Sequence, residues 1–270
     1  MSAAPTPTPT APGQPPLVYI TGASSGIGQA LAACYGLAGW RLVLVARRSA
    51  DIERWAHSQG LGAERVTVYS ADVSQPDSII AAGERCLAEQ GLPEVVIASA
   101  GISVGMDSAE RADLQVMHDT FATNNVGLAA TFQPFLRAMR QRGSGTLVGV
   151  ASVAAIRGLP GHGAYCASKA AVVAYCESLR GECRRQGVKV VTLLPGYIAT
   201  PLTAKNPYSM PFLMSAPDFA DCAFRAIEAG DSYRVIPWQM AALAKLMRLL
   251  PNAWFDRLVS SRGHKPRRQP

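Results

Sequence analysis

The chain has 270 residues, 49% hydrophobic and 17% charged, which is enough apolar material for a large core in one globular unit. Its six cysteines, at 34, 86, 166, 176, 183 and 222, form no C-x-x-C pair and its four histidines are far apart, so a disulfide framework and a zinc site are both unexpected and a reducing cytoplasm fits. The formal charge of +7 is concentrated in residues 241–270, which carry seven Lys and Arg against Asp256 alone; the body is nearly neutral and offers no nucleic-acid-binding face.

Residues 1–16, MSAAPTPTPTAPGQPP, alternate Pro and Thr with almost no bulky apolar residue and read as a disordered arm. From Leu17 to Pro237, short runs rich in Val, Ile and Leu alternate with segments of helical pattern. The runs are LVYI, RLVLVA, VTVYSADV, EVVIASAG, GTLVGVAS, KVVTLLPG and SYRVIP. Continuous apolar runs are what strands covered on both faces require, and the intervening helices supply the crossovers of a parallel sheet. The pattern predicts a seven-stranded, doubly wound α/β sheet of Rossmann type in a single domain over 17–237, with ligands at the carboxyl ends of the strands. No stretch reaches eighteen uninterrupted apolar residues, so no membrane-spanning helix is predicted.

After the first run, TGASSGIGQALA places Gly22, Gly26 and Gly28 in the turn between a strand and a helix. Glycines there let the backbone approach a pyrophosphate, and the free N–H groups and helix dipole attract its charge. After the second run, where an NAD site normally carries an acid that accepts from the adenosine ribose, the chain has Arg47 and Arg48. Further on, Tyr165 and Lys169 in GAYCASKAA lie one helical turn apart, on one face of a helix.

The spacing G-x-x-x-G-x-G and the Y-x-x-x-K pair resemble the TGxxxGIG fingerprint and active-site signature of the short-chain dehydrogenase/reductase family. The resemblance covers roughly residues 17–237. Ser152 ends a strand thirteen positions before Tyr165, Asn124 sits in an N-x-x-G pattern, and LLPGYIATP supplies Pro195, Gly196, Ile198 and Thr200. One departure is Ala98-Ser99-Ala100-Gly101, where the family commonly has Asn-Asn-Ala-Gly. The resemblance implies a catalytic set of Asn124, Ser152, Tyr165 and Lys169, with Ser152 and Tyr165 on the substrate oxygen. It also implies cofactor contacts from Gly22, Ser24, Ser25, Gly26, Ile27 and Gly28, from Asp72 and Val73 at the adenine, and from Ala100 and Gly101. Tyr165, Lys169, Pro195, Gly196, Ile198 and Thr200 complete that set. Hydride transfer to a carbonyl develops negative charge on oxygen, which a phenol can hydrogen-bond and protonate, and a lysine on the same face is expected to lower the phenol's pKa. Arg47 and Arg48 resemble the 2′-phosphate clamp of NADP-preferring members, so NADP(H) is expected over NAD(H).

The loop 197–217 is rich in Leu, Met, Phe, Tyr and Pro and lies where the family keeps its substrate lid, which fits a hydrophobic, lipid-like ketone, aldehyde or alcohol. His162 reads as a surface-loop histidine. By resemblance, the helices over about 110–140 and 163–186 pair between subunits in a homodimer or homotetramer, and Ala170, Ala171, Ala174 and Ser178 offer small side chains for the approach. In the extension 238–270, Met240, Leu243, Met247 and Leu250 share one face with Leu246 beside them. Pro251 starts a second helix in which Trp254, Phe255, Leu258 and Val259 share a side. These faces either fold back over the cleft or a neighbouring subunit, the reading preferred, or make peripheral contact with an anionic membrane. Two competing functions are an idle nucleotide-binding sensor or scaffold, against which the four catalytic-type residues speak, and an epimerase or dehydratase, which usually has a larger substrate domain.

Overall fold

The computed structural model describes residues 13–204, 206–260 and 265–267; most of the Pro/Thr arm and most of the final basic run lie outside them. In chain order the described strands are β1 (Leu17–Thr21), β2 (Arg41–Ala46), β3 (Val66–Ser70), β4 (Val95–Ala98), β5 (Gly145–Val150), β6 (Val188–Pro195), β7 (Ile198–Ala199), β8 (Met214–Ser215) and β9 (Tyr233–Ile236). All seven apolar runs appear, and they form one fully parallel sheet in the order β3-β2-β1-β4-β5-β6-β9. The short β7 and β8 pair separately and bracket the loop over 200–213.

Side-chain alternation divides the core between the two faces of the sheet. Leu17, Tyr19, Val43, Val45 and Val96 point to one layer, which holds α3 (Pro76–Glu89), α5 (Gly127–Arg142) and α6 (Gly163–Cys183). Val18, Ile20, Leu42, Leu44 and Ile97 point to the other, with α1 (Gly26–Leu37), α2 (Ser49–Ser58) and α7 (Ala216–Ala229). Local signals mark the helix ends. Pro76 opens α3, where a missing N–H costs nothing; Ser215 caps α7 by accepting Asp218 N at 3.2 Å, and left-handed Gly143 and Gly230 close α5 and α7. Strand order reverses between β1 and β4, and a crevice opens beyond their carboxyl ends.

The long helical segment before β5 is α4 (Asp113–Phe121) running through a wide π turn at Ala122–Val126 into α5. The extension forms α8 (Trp238–Leu249) and α9 (Asn252–Val259), separated as expected at Pro251. Met240, Ala244, Phe255 and Val259 are buried. Arg157 fastens the pair to the body: it donates to the Met247 and Leu250 carbonyls and to Asn252 Oδ1 (2.9 Å), and its guanidinium stacks 3.8 Å from the Phe255 ring centroid. The extension therefore folds back on its own chain. On α8 the predicted face of Met240, Leu243, Met247 and Leu250 is buried or half-buried; the corrections are Leu246 beside it and Trp254 and Leu258 of α9, which are more than half exposed along with Trp238 and Leu249. In α9, Phe255 and Val259 turn inward while Trp254 and Leu258, one position earlier in each turn, look outward. Among the described residues no helix is long and apolar enough to cross a membrane.

Candidate active site

The turn after β1 is shaped by glycine. Gly22 has φ +70°, and a Cβ there would lie 2.8 Å from the Ala100 backbone; a Cβ on Gly28 would strike the Gly22 carbonyl oxygen. The first turn of α1 contains no acid and has no side-chain cap, so its N–H groups face the crevice. That crevice is a groove of about 660 Å³ whose walls include Ser24, Ser25, Gly26 and Ile27, Arg47 and Arg48, Asp72 and Val73, Ala100 and Gly101, and Thr200. It is long, notched by glycine and open at a helix N-terminus, a shape and donor set that fit a dinucleotide.

The basic pair is less free than its sequence suggests. Arg48 Nε donates to Asp51 Oδ2 at 2.6 Å and Arg48 Nη2 to Ser24 Oγ at 3.4 Å, while Arg47 lies 3.7 Å from Asp72. Both guanidinium groups stay more than half exposed, at the end of the groove beside β2. At the Ser99 departure, the Thr21 hydroxyl links the strands, donating to Ile97 O (3.5 Å) and accepting from Ala100 N (3.4 Å). Pro195, Gly196 and Ile198 do not line this groove. Gly196 donates to Ile236 O (2.8 Å), and a Cβ on it would meet Met240 of α8 at 2.7 Å, so that glycine seats the extension.

Asn124, Ser152, Tyr165 and Lys169 come from four places in the chain. Asn124 projects from the π turn, where Oδ1 accepts Ile102 N (2.8 Å) and Nδ2 donates to Ile102 O (3.0 Å) and Ser168 Oγ (2.9 Å). Its neighbour Asn125 donates to Ser168 O (2.8 Å). Lys169 is buried and donates to Val150 O at 2.8 Å. A side chain on Gly101 would come within 3.4 Å of Lys169 Nζ and 3.2 Å of Asn124 Oδ1, so the open backbone, the amide and the ammonium meet at one point.

Titration at this point differs from the expectation. Lys169 Nζ stands 5.8 Å from the Tyr165 ring centroid and spends its charge on a carbonyl. Burial pushes the Tyr165 phenol up, and the group drawing it down is the Ser152 hydroxyl. Burial also brings Lys169 down to about 8. The phenol is therefore a neutral donor at pH 7. His162 is not a surface residue: it is buried, with Nδ1 2.9 Å from Pro160 O and Nε2 3.1 Å from the Tyr208 hydroxyl. Pro160 O only accepts, so Nδ1 donates to it, and the Nε2 contact with the Tyr208 hydroxyl ties the 200–213 loop to the start of α6.

A family model described as short chain dehydrogenase matches residues 16–209. The chain belongs to the short-chain dehydrogenase/reductase family. It is 36% identical over 237 residues to an uncharacterized oxidoreductase of Myxococcus xanthus, covering 88% of this chain and 93% of that one. It is also 36% identical over 191 residues to D-threitol dehydrogenase of Mycolicibacterium smegmatis, covering 70% and 72%. Among solved structures, the alcohol dehydrogenase of Thermococcus sibiricus complexed with 5-hydroxy-NADP superposes with a TM-score of 0.73 at 26% identity, over 83% of this chain and 96% of that one. As a short-chain dehydrogenase/reductase the protein is an oxidoreductase acting on alcohol and ketone groups with a nicotinamide cofactor.

Several participants carry no signal readable in one dimension. Thr21 and Ser168 bind site residues through contacts that cross elements, and Tyr208 reaches His162 from 46 positions away. The segments 102–107 and 265–267, which also make such contacts, are neither apolar runs nor helix caps.

Proposed function

We propose that the protein is an NADP(H)-dependent reductase and dehydrogenase that interconverts a hydrophobic ketone or aldehyde and its alcohol. The observation that carries this is a neutral, partly buried phenol, Tyr165, with Ser152 at its oxygen and Lys169 and Asn124 beside the dinucleotide groove. When bound, the dinucleotide supplies or accepts the hydride. Ser152 and Tyr165 hold the carbonyl oxygen, and Tyr165 releases its proton to that oxygen as negative charge grows there, so the carbonyl becomes an alcohol and the phenol a phenolate. Lys169 returns a proton to the phenolate. Asn124, bonded through both amide atoms, anchors the water that refills the lysine.

Arg47 and Arg48 support a 2′-phosphate because no acid of β2 or its following turn occupies that end and both guanidinium groups line the groove while staying more than half exposed, Arg48 against Asp51 and Arg47 near Asp72. The lid residues Tyr197, Tyr208, Met210 and Leu213 support an apolar substrate. Oxidation of NADPH and NADH, followed at 340 nm against ketones and aldehydes of rising chain length, tests the reading. Faster turnover with NADPH and rising kcat/KM with chain length are expected; equal or better turnover with NADH overturns the cofactor assignment, and no turnover of any carbonyl overturns the reaction.

Two assembly features belong to this reading. Leu114, Met117, Val126 and Tyr175 are exposed apolar residues on α4, the π turn and α6, and they support subunit pairing there. Trp238, Leu246, Leu249, Trp254 and Leu258 on the outer surface of α8 and α9, flanked by Lys245 and Arg257, support peripheral contact with an anionic membrane. Sedimentation with anionic vesicles at low salt, reversed at high salt, tests it; a soluble fraction under both conditions overturns it.

A further inference from the structure

The described segment Lys265–Arg267 lies across the mouth of the cleft. Arg267 Nε donates to Asp113 Oδ2 at 2.8 Å, and that oxygen also accepts Asp107 N at 2.7 Å; the Asp113 side chain is 6% exposed. Gly105 N donates to Pro266 O (3.2 Å), and any side chain at Gly105 would collide with the Lys265 carbonyl, so glycine is what lets the strap lie flat on the loop after β4. The strap delivers one side chain inward. Lys265 Nζ donates to Ser103 Oγ at 3.0 Å and to Leu202 O at 3.3 Å.

Those acceptors stand on opposite walls. Ser103 follows Ile102, and Ile102 and Leu202 both line the dinucleotide groove, so the ammonium bridges the β4 loop and the lid. The same loop continues to Met106, whose sulfur accepts Ala164 N (3.0 Å), one residue from Tyr165. Both acceptors of Lys265 are neutral. Among the described residues no carboxylate lies within ion-pair distance of Nζ, and its third N–H has no partner. Partial burial draws its pKa down, as expected of a desolvated cation with no counter-charge.

We infer that Lys265 recognises an anionic group of the ligand at the cleft mouth, a carboxylate or a phosphate held between the β4 loop and the lid. The anion is either the acidic head of an amphipathic substrate, whose apolar body lies under the lid, or a phosphate of the dinucleotide. A lysine serves both as a point charge. The substrate alternative rests on the reductase reading above; the binding chemistry does not.

The test is calorimetric titration of the full chain with decanoate and decan-1-ol in the presence of saturating NADP+, and of the protein alone with NADP+, for wild type, Lys265→Met and Lys265→Arg. If the anion belongs to the substrate, the preference for decanoate over decan-1-ol falls at least tenfold in Lys265→Met and is retained in Lys265→Arg. If it belongs to the dinucleotide, Lys265→Met weakens NADP+ at least fivefold, Lys265→Arg restores it, and the preference between the two probes is unchanged. Equal losses in both variants mark a merely structural strap, and no change in either measurement removes the anion site; both outcomes overturn the inference. Failure of the wild type to turn over any ketone strikes the reductase reading alone, because both titrations are independent of turnover.

Discussion

At the scale of single residues, the site turns on two groups shifted by burial in opposite senses. Tyr165→Phe keeps the ring that packs against its neighbours and removes the proton, so kcat for ketone reduction is expected to fall at least about 10²-fold with little change in cofactor affinity, measured by initial rates and by NADPH fluorescence titration. Lys169 has its pKa lowered from 10.5 to about 8, so between those values the folded chain binds fewer protons than the unfolded chain. Stability contributed by this site therefore rises with pH from about 8 to 10.5, and below pH 8 the full penalty of a buried ammonium is present. Lys169→Met is expected to stabilise the cofactor-free protein at pH 7 by about 1 kcal/mol, roughly 2–4 °C in Tm by calorimetry, while turnover collapses. A lower Tm in the variant would show that the bond to Val150 O outweighs the burial of charge. The sequence located both residues through their spacing, but it misjudged their interaction, since a four-residue separation puts two side chains on one face and says nothing of what each touches beyond it. His162 was misread for a related reason: its partner Tyr208 belongs to a loop with no periodic pattern.

At the scale of elements, strands were the most legible. A run such as LVLVA is covered on both faces and has few alternatives, and every apolar run of the sheet became a strand. Amphipathic faces were harder. In α8 the Met240, Leu243, Met247 and Leu250 side turns inward as its spacing indicated, but Trp238, Leu246 and Leu249 make the outer side apolar as well, and Arg157, which lies in the segment after Ser152, binds the end of the helix. Arg157→Met removes three hydrogen bonds and the stack on Phe255. The expected result is a loss of about 2 kcal/mol and protease cleavage within 238–260 before the sheet is cut, followed by mass spectrometry. Uniform cleavage rates in wild type and variant would mean that α8 is held by its apolar face alone.

At the scale of the whole molecule, the family's habit of association meets exposed apolar residues on α4 and α6, and light scattering at micromolar concentration is expected to give two or four times the 28.6 kDa chain mass. A mass of one chain would reassign those residues to ordinary surface. The architecture as a whole was readable because alternating strands and helices admit few topologies, whereas the contact of 265–267 with 103–113 was not, since it joins two irregular segments some 160 positions apart. That separation bears on how the protein is made. Among the described residues, all that line the dinucleotide groove have been synthesised by Leu202, but the strap that crosses the cleft mouth is completed sixty-five residues later, at Arg267. At roughly 5–20 residues per second, a nascent chain has all the residues of its nucleotide groove about 3–13 s before it has those that finish the mouth of its cleft.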